Sequence, residues 1–158
     1  MHDNALGTGI LDKNLNNFIE TSNQLLADFD FSPCYKVDFI FQDNYFADKI
    51  LEIAKYKSIW GQELGEPVVA IKNLKVTKDN LMLMSRDKNP TLKITLDNGV
   101  SLIKFKSSEE EYEKLYSDLG CVIIDIVGKC DINEWRGNIT PQIKIEDYSI
   151  VDRQDYYF

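Results

Sequence analysis

Apolar positions recur along this chain first at helical and then at strand spacing. From Asp12 onward, Leu15, Phe18, Ile19, Ser22, Leu25, Leu26 and Phe29 fall on one helical face. That spacing predicts a helix over 12–29 with Asp12 as its N-cap, stopped by Ser32-Pro33. Tyr35, Val37, Phe39 and Phe41 then alternate with more polar neighbours, the period of a half-buried strand. Asp43 can cap a second helix, roughly 44–56, whose apolar face is Phe46, Ile50, Ile53 and Ala54. Two glycines and a proline close together, Gly61, Gly65 and Pro67, mark a boundary after it.

Beyond Pro67 the period switches to two. Short strands are predicted at Val68–Val76, Asn80–Ser85, Thr91–Asp97 and Val100–Lys106. Between the last two, Asn98-Gly99 is a hairpin signal, because a type I′ turn needs positive φ at both central residues. Ser108-x-x-Glu111 is a capping box, opening a helix with Tyr112, Leu115, Tyr116 and Leu119 on its apolar side. A long strand over Val122–Ile132 and its partner over Ile139–Val151 flank an Arg136-Gly137-Asn138 turn. Strands, one helix, then a closing strand pair is the order of an OB-like antiparallel β-barrel. The fold class expected is therefore α+β. A small α/β segment (1–42) and a connecting helix with its Gly/Pro joint (43–66) precede the barrel (67–152), and an aromatic tail (153–158) follows it.

The 158 residues are 44% hydrophobic, enough for a core, and contain no apolar run able to span a bilayer. No signal-peptide pattern opens the chain. Its three widely spaced cysteines, Cys34, Cys121 and Cys130, read as buried reduced thiols, which suits a cytoplasmic protein. A net charge of −8 argues against nonspecific polyanion binding by the chain as a whole. The charge is unevenly distributed, however. Residues 67–106 carry eight basic side chains (Lys72, Lys75, Lys78, Arg86, Lys88, Lys93, Lys104, Lys106) against three acidic ones. Either a basic surface or scattered solubilising lysines would give this pattern.

Familiar catalytic patterns are absent from the sequence. A single histidine, His2, leaves no multi-histidine metal cluster, and there is neither a Cys-x-x-Cys nor a His-x-Glu spacing. Gly7-Thr8-Gly9 lacks the lysine of a phosphate-binding loop. Glu109, Glu110 and Glu111 read as a solvated helix face. From its residues alone, the chain shows no catalytic or metal site.

Several segments in sequence order resemble RecJ-type single-stranded-DNA exonucleases of the DHH phosphoesterase superfamily. His2-Asp-Asn-Ala5-Leu-Gly7 is similar to the second half of the Gly-Gly-His-x-x-Ala-x-Gly segment of the DHH-associated domain, with Met1 in place of the glycine before the histidine. The helix over 12–29 and the strand with Val37-Asp38 match the end of that domain. Ile59-Trp60-Gly61 through Glu66-Pro67 resembles the family's Pro-Phe-Gly-x-Gly-Asn-Pro-Glu-Pro joint, departing from it at Trp60, Glu63, Leu64 and Gly65. Val68 to Asp147 resembles the OB-like domain, including Lys104-Phe105 and the run Asn133-Glu-Trp135-Arg136-Gly137 through Gln142 to Asp147.

The resemblance implies a C-terminal region of a 5′→3′ exonuclease that binds single-stranded DNA and guides it. In the family, Mn or Mg ions are held by an N-terminal DHH domain whose residues are not in this sequence, so no cofactor and no cleavage chemistry are expected of this chain. His2 is put forward for contact with substrate phosphate. An OB-like surface binds single strands by stacking bases on aromatics beside a basic groove. The candidates are Trp135 and Arg136 at the hairpin, Lys93 on the third strand, and Lys104 and Lys106, which share a parity, on the fourth. Such a tryptophan is more often a hairpin-packing aromatic that covers the barrel end. An alternative reading is a protein-interaction or structural module that docks a catalytic domain or a replication or DNA-repair partner through its acidic faces.

Overall fold

The computed structural model describes residues 9–30, 34–42, 46–61, 63–85 and 88–155. His2, Ser32-Pro33, the proposed cap Asp43, Arg86 and the aromatic residues 156–158 lie outside these. The chain divides into two compact units, 1–34 and 35–158.

In the first unit, α1 runs from Asp12 to Leu25. Leu11, in extended conformation, is its N-cap, and Asp12 sits in the first turn with no capping hydrogen bond. There the carboxylate still favours the helix by facing the positive end of its dipole. No residue of α1 is buried.

Among the described residues, the second unit is a seven-stranded sheet with two α-helices. Its strands are β1 (Phe39–Phe41), β2 (Val68–Val76), β3 (Leu81–Met84), β4 (Thr91–Thr95), β5 (Ser101–Lys104), β6 (Gly120–Trp135) and β7 (Asn138–Asp155). Between them lie α2 (Ala47–Ala54), a 3₁₀ turn (Lys57–Ile59) and α3 (Glu109–Leu115). The order across the sheet is β1-β2-β6-β7-β5-β4-β3. Two of its pairings, β1 with β2 and β5 with β7, are parallel, so the sheet is not purely antiparallel.

The first strand of the OB-like barrel is split. β2 pairs with β6 and β3 pairs with β4, both antiparallel. Following the strand senses around the sheet, β2 and β3 run the same way, and only residues 77–80 separate them. They act as one bent strand, its first half on β6 and its second on β4. The hydrogen-bonded sheet thus stays open, and chain continuity through 77–80 links its two sides. Asn80 fixes the bend, its Oδ1 accepting from Thr77 N at 2.9 Å and its Nδ2 donating to Lys75 O at 3.2 Å.

Alternation places Val69, Ile71, Leu92, Ile94, Leu102, Ile124, Ile126 and Ile143 in one core with Leu115 of α3. Each such aliphatic side chain contributes roughly 1.5–3 kcal/mol by leaving water. α2 closes the other end through Phe46, Ile50 and Ala54, all buried, with the Phe46 ring stacked on Phe41 at 4.9 Å. β1 and α2 therefore belong to the same unit as the barrel strands. The capping box forms as expected, Ser108 Oγ accepting from Glu111 N and Glu111 Oε2 from Ser108 N, each at 3.1 Å. α3 stops at Leu115, short of Gly120, where Arg153 donates to the carbonyls of Lys114 and Tyr116.

The two hairpins close differently. At Asp97-Asn98-Gly99 only Gly99 has positive φ, and its N–H donates to Leu96 O at 2.9 Å. That is a one-bulge turn, with Asn98 Oδ1 spent on Val100 N, rather than type I′. At the other hairpin Trp135 faces Asn138 directly, leaving Arg136 (φ 51°) and Gly137 (φ 81°) as a two-residue loop with both φ positive.

Among the described residues, no helix is long and apolar enough to cross a membrane. Cys121 and Cys130 are buried, and Cys34 is exposed, contrary to the expectation of three buried thiols. Burial, with Glu66 adding to it, pushes the Cys130 thiol up to about 12. A thiolate is the reactive form. A disulfide-exchange reagent at pH 8 should therefore label one thiol per folded chain, Cys34, and three in denaturant. Labelling of Cys130 in the folded chain at a comparable rate would contradict this packing.

Candidate nucleic-acid interface

Residues directly opposite one another in a pleated sheet share a face. Lys93 pairs with Met82 on one side and with Ile103 on the other. Ile103 pairs with Lys144, and Lys144 with Lys129. On β6, alternation carries the same face from Lys129 through Asp131 and Asn133 to Trp135. One face of the sheet therefore runs from Lys93 on β4, past the buried Ile103 on β5, to β7 and β6 and the tip of the long hairpin.

Trp135 ends that face. It is 66% exposed, and the Arg136 guanidinium lies over its ring at 5.5 Å from the centroid. Holding a non-glycine residue at φ 51° costs about 1 kcal/mol or more. Here that backbone sets the cation beside an indole that stays two-thirds exposed. Asn133 Nδ2 and Asn133 O both approach Thr140 Oγ1, at 3.5 and 3.3 Å, bracing the hairpin arm. Asp147 accepts from the Tyr35 hydroxyl at 3.0 Å and from Tyr148 N at 2.9 Å. Both motif residues serve the scaffold.

Lys104 belongs to the opposite face. It pairs with Leu92, which is buried, and its ammonium meets Glu111 Oε1 at 2.8 Å and lies 5.9 Å from the centre of the Tyr148 ring. It fastens the first turn of α3 to β5. Lys106 lies beyond the end of β5 with φ 55°, so strand parity does not apply to it. The structure thus brings Lys93, Trp135 and Arg136 onto one side and sets Lys104 apart. The basic stretch is also partly neutralised, since Lys72 pairs with Asp125 and Lys78 with Asp118.

Lys57 and Lys144, which the sequence reading passed over, meet on this face. Each places its ammonium 2.6 Å from a different oxygen of Asp131, a carboxylate whose side chain is only 8% exposed. Lys129 and Lys144, directly opposite and alike in charge, would repel. Each instead reaches diagonally to an acid, Lys129 to Glu146 at 2.8 Å and Lys144 to Asp131. The alternation of Gln142 and Lys144 with Ile143 and Ile145 marks Lys144 as outward. No local pattern marks Lys57.

Burial pushes the Asp131 carboxyl up, but the hydrogen bonds from Lys144 and Lys57 outweigh it and hold it below the ordinary carboxylate value. The Lys57 ammonium is raised, chiefly by its bond to Asp131. The Asp131 contribution to stability is complete above the unfolded value of about 3.9 and is lost as pH falls through the lower folded value. The Lys57 contribution is complete below about 10.4 and fades above it. Thermal melts should show Asp131→Asn less stable than the parent by a constant margin from pH 5 to 9, narrowing below about pH 4. A margin unchanged at pH 2.5 would contradict the ion-pair assignment.

Among the described residues, no three His, Cys, Asp or Glu side chains gather where they could hold a metal ion. What the surface offers is an exposed aromatic, a stacked guanidinium and positioned ammonium groups.

Comparison with known proteins agrees with the topology. Residues 37–147 match the RecJ OB domain. A protein of Bacillus subtilis (strain 168) named as the SPbeta prophage-derived single-strand DNA-specific exonuclease YorK is 30% identical over 152 residues. So is its counterpart in Bacillus phage SPbeta. Both alignments cover 95% of this chain and 26% of the relative, so the chain spans about a quarter of their length. RecJ from Thermus thermophilus, in complex with Mn2+, shares the fold with a TM-score of 0.53 at 12% identity, over 90% of this chain and 20% of that one. With most of its length matched to that domain, the chain belongs to the RecJ OB domain family.

Proposed function

We propose that this chain is the single-stranded-DNA-binding, strand-guiding part of a RecJ-type 5′→3′ exonuclease, the cleavage chemistry being supplied by a metal-binding domain outside it. The observation that carries the reading is Trp135, two-thirds exposed at a hairpin tip with Arg136 stacked on it. An unsheltered indole beside a cation suits stacking on an unpaired base, which is worth about 1–3 kcal/mol and tolerates any sequence. Lys93, Lys144 and Lys57 extend a basic track from it across the sheet. The relatives named as single-strand-specific exonucleases support the same substrate.

The test is fluorescence anisotropy of a labelled single-stranded oligonucleotide against the same sequence as duplex, from 50 to 200 mM salt. Each phosphate contacted on a single strand adds about −0.7 to the slope of log K against log salt. Three contacts would give a slope of about −2 and roughly 20-fold weakening over that range. No preference for the single strand at 50 mM salt would refute the proposal and leave an interaction module as the reading to pursue.

A further inference from the structure

The Lys57–Asp131–Lys144 cluster has an arrangement that stability alone does not explain. Its carboxylate is 8% exposed, while the two lysine side chains are 54% and 42% exposed. Lys57 comes from the 3₁₀ turn and Lys144 from β7, and both converge on one acid of β6. Ion pairs that bury a charge return little net stability, because desolvation offsets the attraction. What the cluster does provide is position. An ammonium has three donors, and only one of them need point at Asp131. Two lysines, ordinarily costly to order, are thereby held side by side with donors turned toward solvent, so less entropy remains to be lost when an anion arrives.

The location suits a polymer. Trp135 lies four residues along β6 from Asp131 on the same face, about 13 Å away. In the other direction Lys93 lies three strand spacings across, about 14 Å. A nucleic-acid strand with a base on Trp135 would carry its backbone over the cluster about four nucleotides on at stacked spacing, or fewer if extended.

We propose that Lys57 and Lys144 form a backbone-phosphate site for the single strand, with Asp131 as the residue that positions them. This rests on the single-strand-binding reading above and adds a site and a role to it. Asp131 contributes a negative charge to a surface that binds a polyanion, and so it gives the idea a sharp test. If the lysines acted only through bulk charge, removing that carboxylate would tighten binding. If position matters, removing it weakens binding.

The experiment is anisotropy of a labelled single-stranded oligonucleotide with the full chain and its Lys57→Gln, Lys144→Gln, Asp131→Asn and Trp135→Ala variants, each checked by thermal melting. Each lysine variant should weaken binding several-fold at 50 mM salt and lower the salt slope by about 0.7. Asp131→Asn should weaken binding despite the added positive charge. Should it unfold, the two lysine variants, altered at half-exposed side chains, decide the matter. Weakening by Trp135→Ala with unchanged slopes in both lysine variants overturns the phosphate site while leaving the single-strand reading intact. Tighter binding by Asp131→Asn overturns the positioning role. No binding by the parent chain overturns the reading and the site together. Displacement of the oligonucleotide by inorganic phosphate at matched ionic strength, lost in Lys144→Gln, would show strand and phosphate competing for this site and supports it. Binding of inorganic phosphate through Lys144 that leaves the oligonucleotide bound would assign the site to free phosphate and overturn the polynucleotide.

Discussion

Trp135→Ala is expected to weaken single-strand binding about 5- to 150-fold, with the fold untouched. The range is the roughly 1–3 kcal/mol of one base stacked on an aromatic ring, converted at about 1.4 kcal/mol per tenfold. Little stability should be lost, because the side chain is 66% exposed and its ring meets the neighbouring Arg136. That contact is worth about 0.5–1 kcal/mol at an exposed site. Trp135→Phe should recover most of the affinity, since it keeps a π-face, whereas Trp135→Leu, of similar hydrophobicity, should not. Anisotropy titrations of the three variants at fixed salt make the comparison. Equal losses in Phe and Leu would mean the indole packs or hydrogen-bonds rather than stacks. The salt slope should change little in any of them, because no phosphate contact is removed.

Gly128→Ala is expected to cost the fold about 3 kcal/mol or more. The reason is space. Gly128 lies in β6 at a register irregularity, where β7 shifts against it between Val127 and Gly128. A Cβ there would collide with the carbonyl oxygen of Lys144 and come within 2.9 Å of Ile143 Cγ2. The oxygen belongs to the backbone of the paired strand, and Ile143 is fully buried, so neither can swing aside. Overpacking a core costs about 1–3 kcal/mol when side chains can yield, and more when backbone must. At about 2–4 °C per kcal/mol for a chain of this size, the melting temperature should fall by roughly 6–12 °C. A fall below about 2 °C would mean the strands separate there more easily than the packing indicates. The same substitution bears on function, because displacing β7 at 143–144 moves Lys144 away from Asp131. Single-strand affinity should therefore drop even well below the melting temperature.

Several local features could be read directly from residue order. β2 occupies the span the alternation predicted, and Ser108 and Glu111 form the expected capping box, because helix entry depends on groups three residues apart. Phe46, Ile50 and Ala54 turned inward around α2 for the same reason, since a helical stripe shows in its spacing. Where two local rules competed, the sequence was less decisive. Asn98-Gly99 carries the strongest type I′ signal, yet Asn98 used its side chain on Val100 N and the loop closed as a bulge. The mirror case is Arg136-Gly137, where the register of two long strands forced a type I′-like loop on an arginine.

The sequence by itself determined which residues alternate, where the chain turns and the OB-like order of elements, since these depend on spacing, turn chemistry and period. On β5, where Leu102 and Ile103 are both apolar and both buried, the tertiary structure alone decided which set faces α3. Lys104 and Lys93 lie on strands of similar pattern, but the Leu92–Lys104 register sends Lys104 inward to Glu111 and leaves Lys93 outside. It also decided that Lys57 and Lys144 meet on Asp131, one of them from 74 residues away. Such a meeting depends on the β6–β7 register and on the packing of a 3₁₀ turn distant in sequence. Local preference is silent there, and the packing of the whole core chooses.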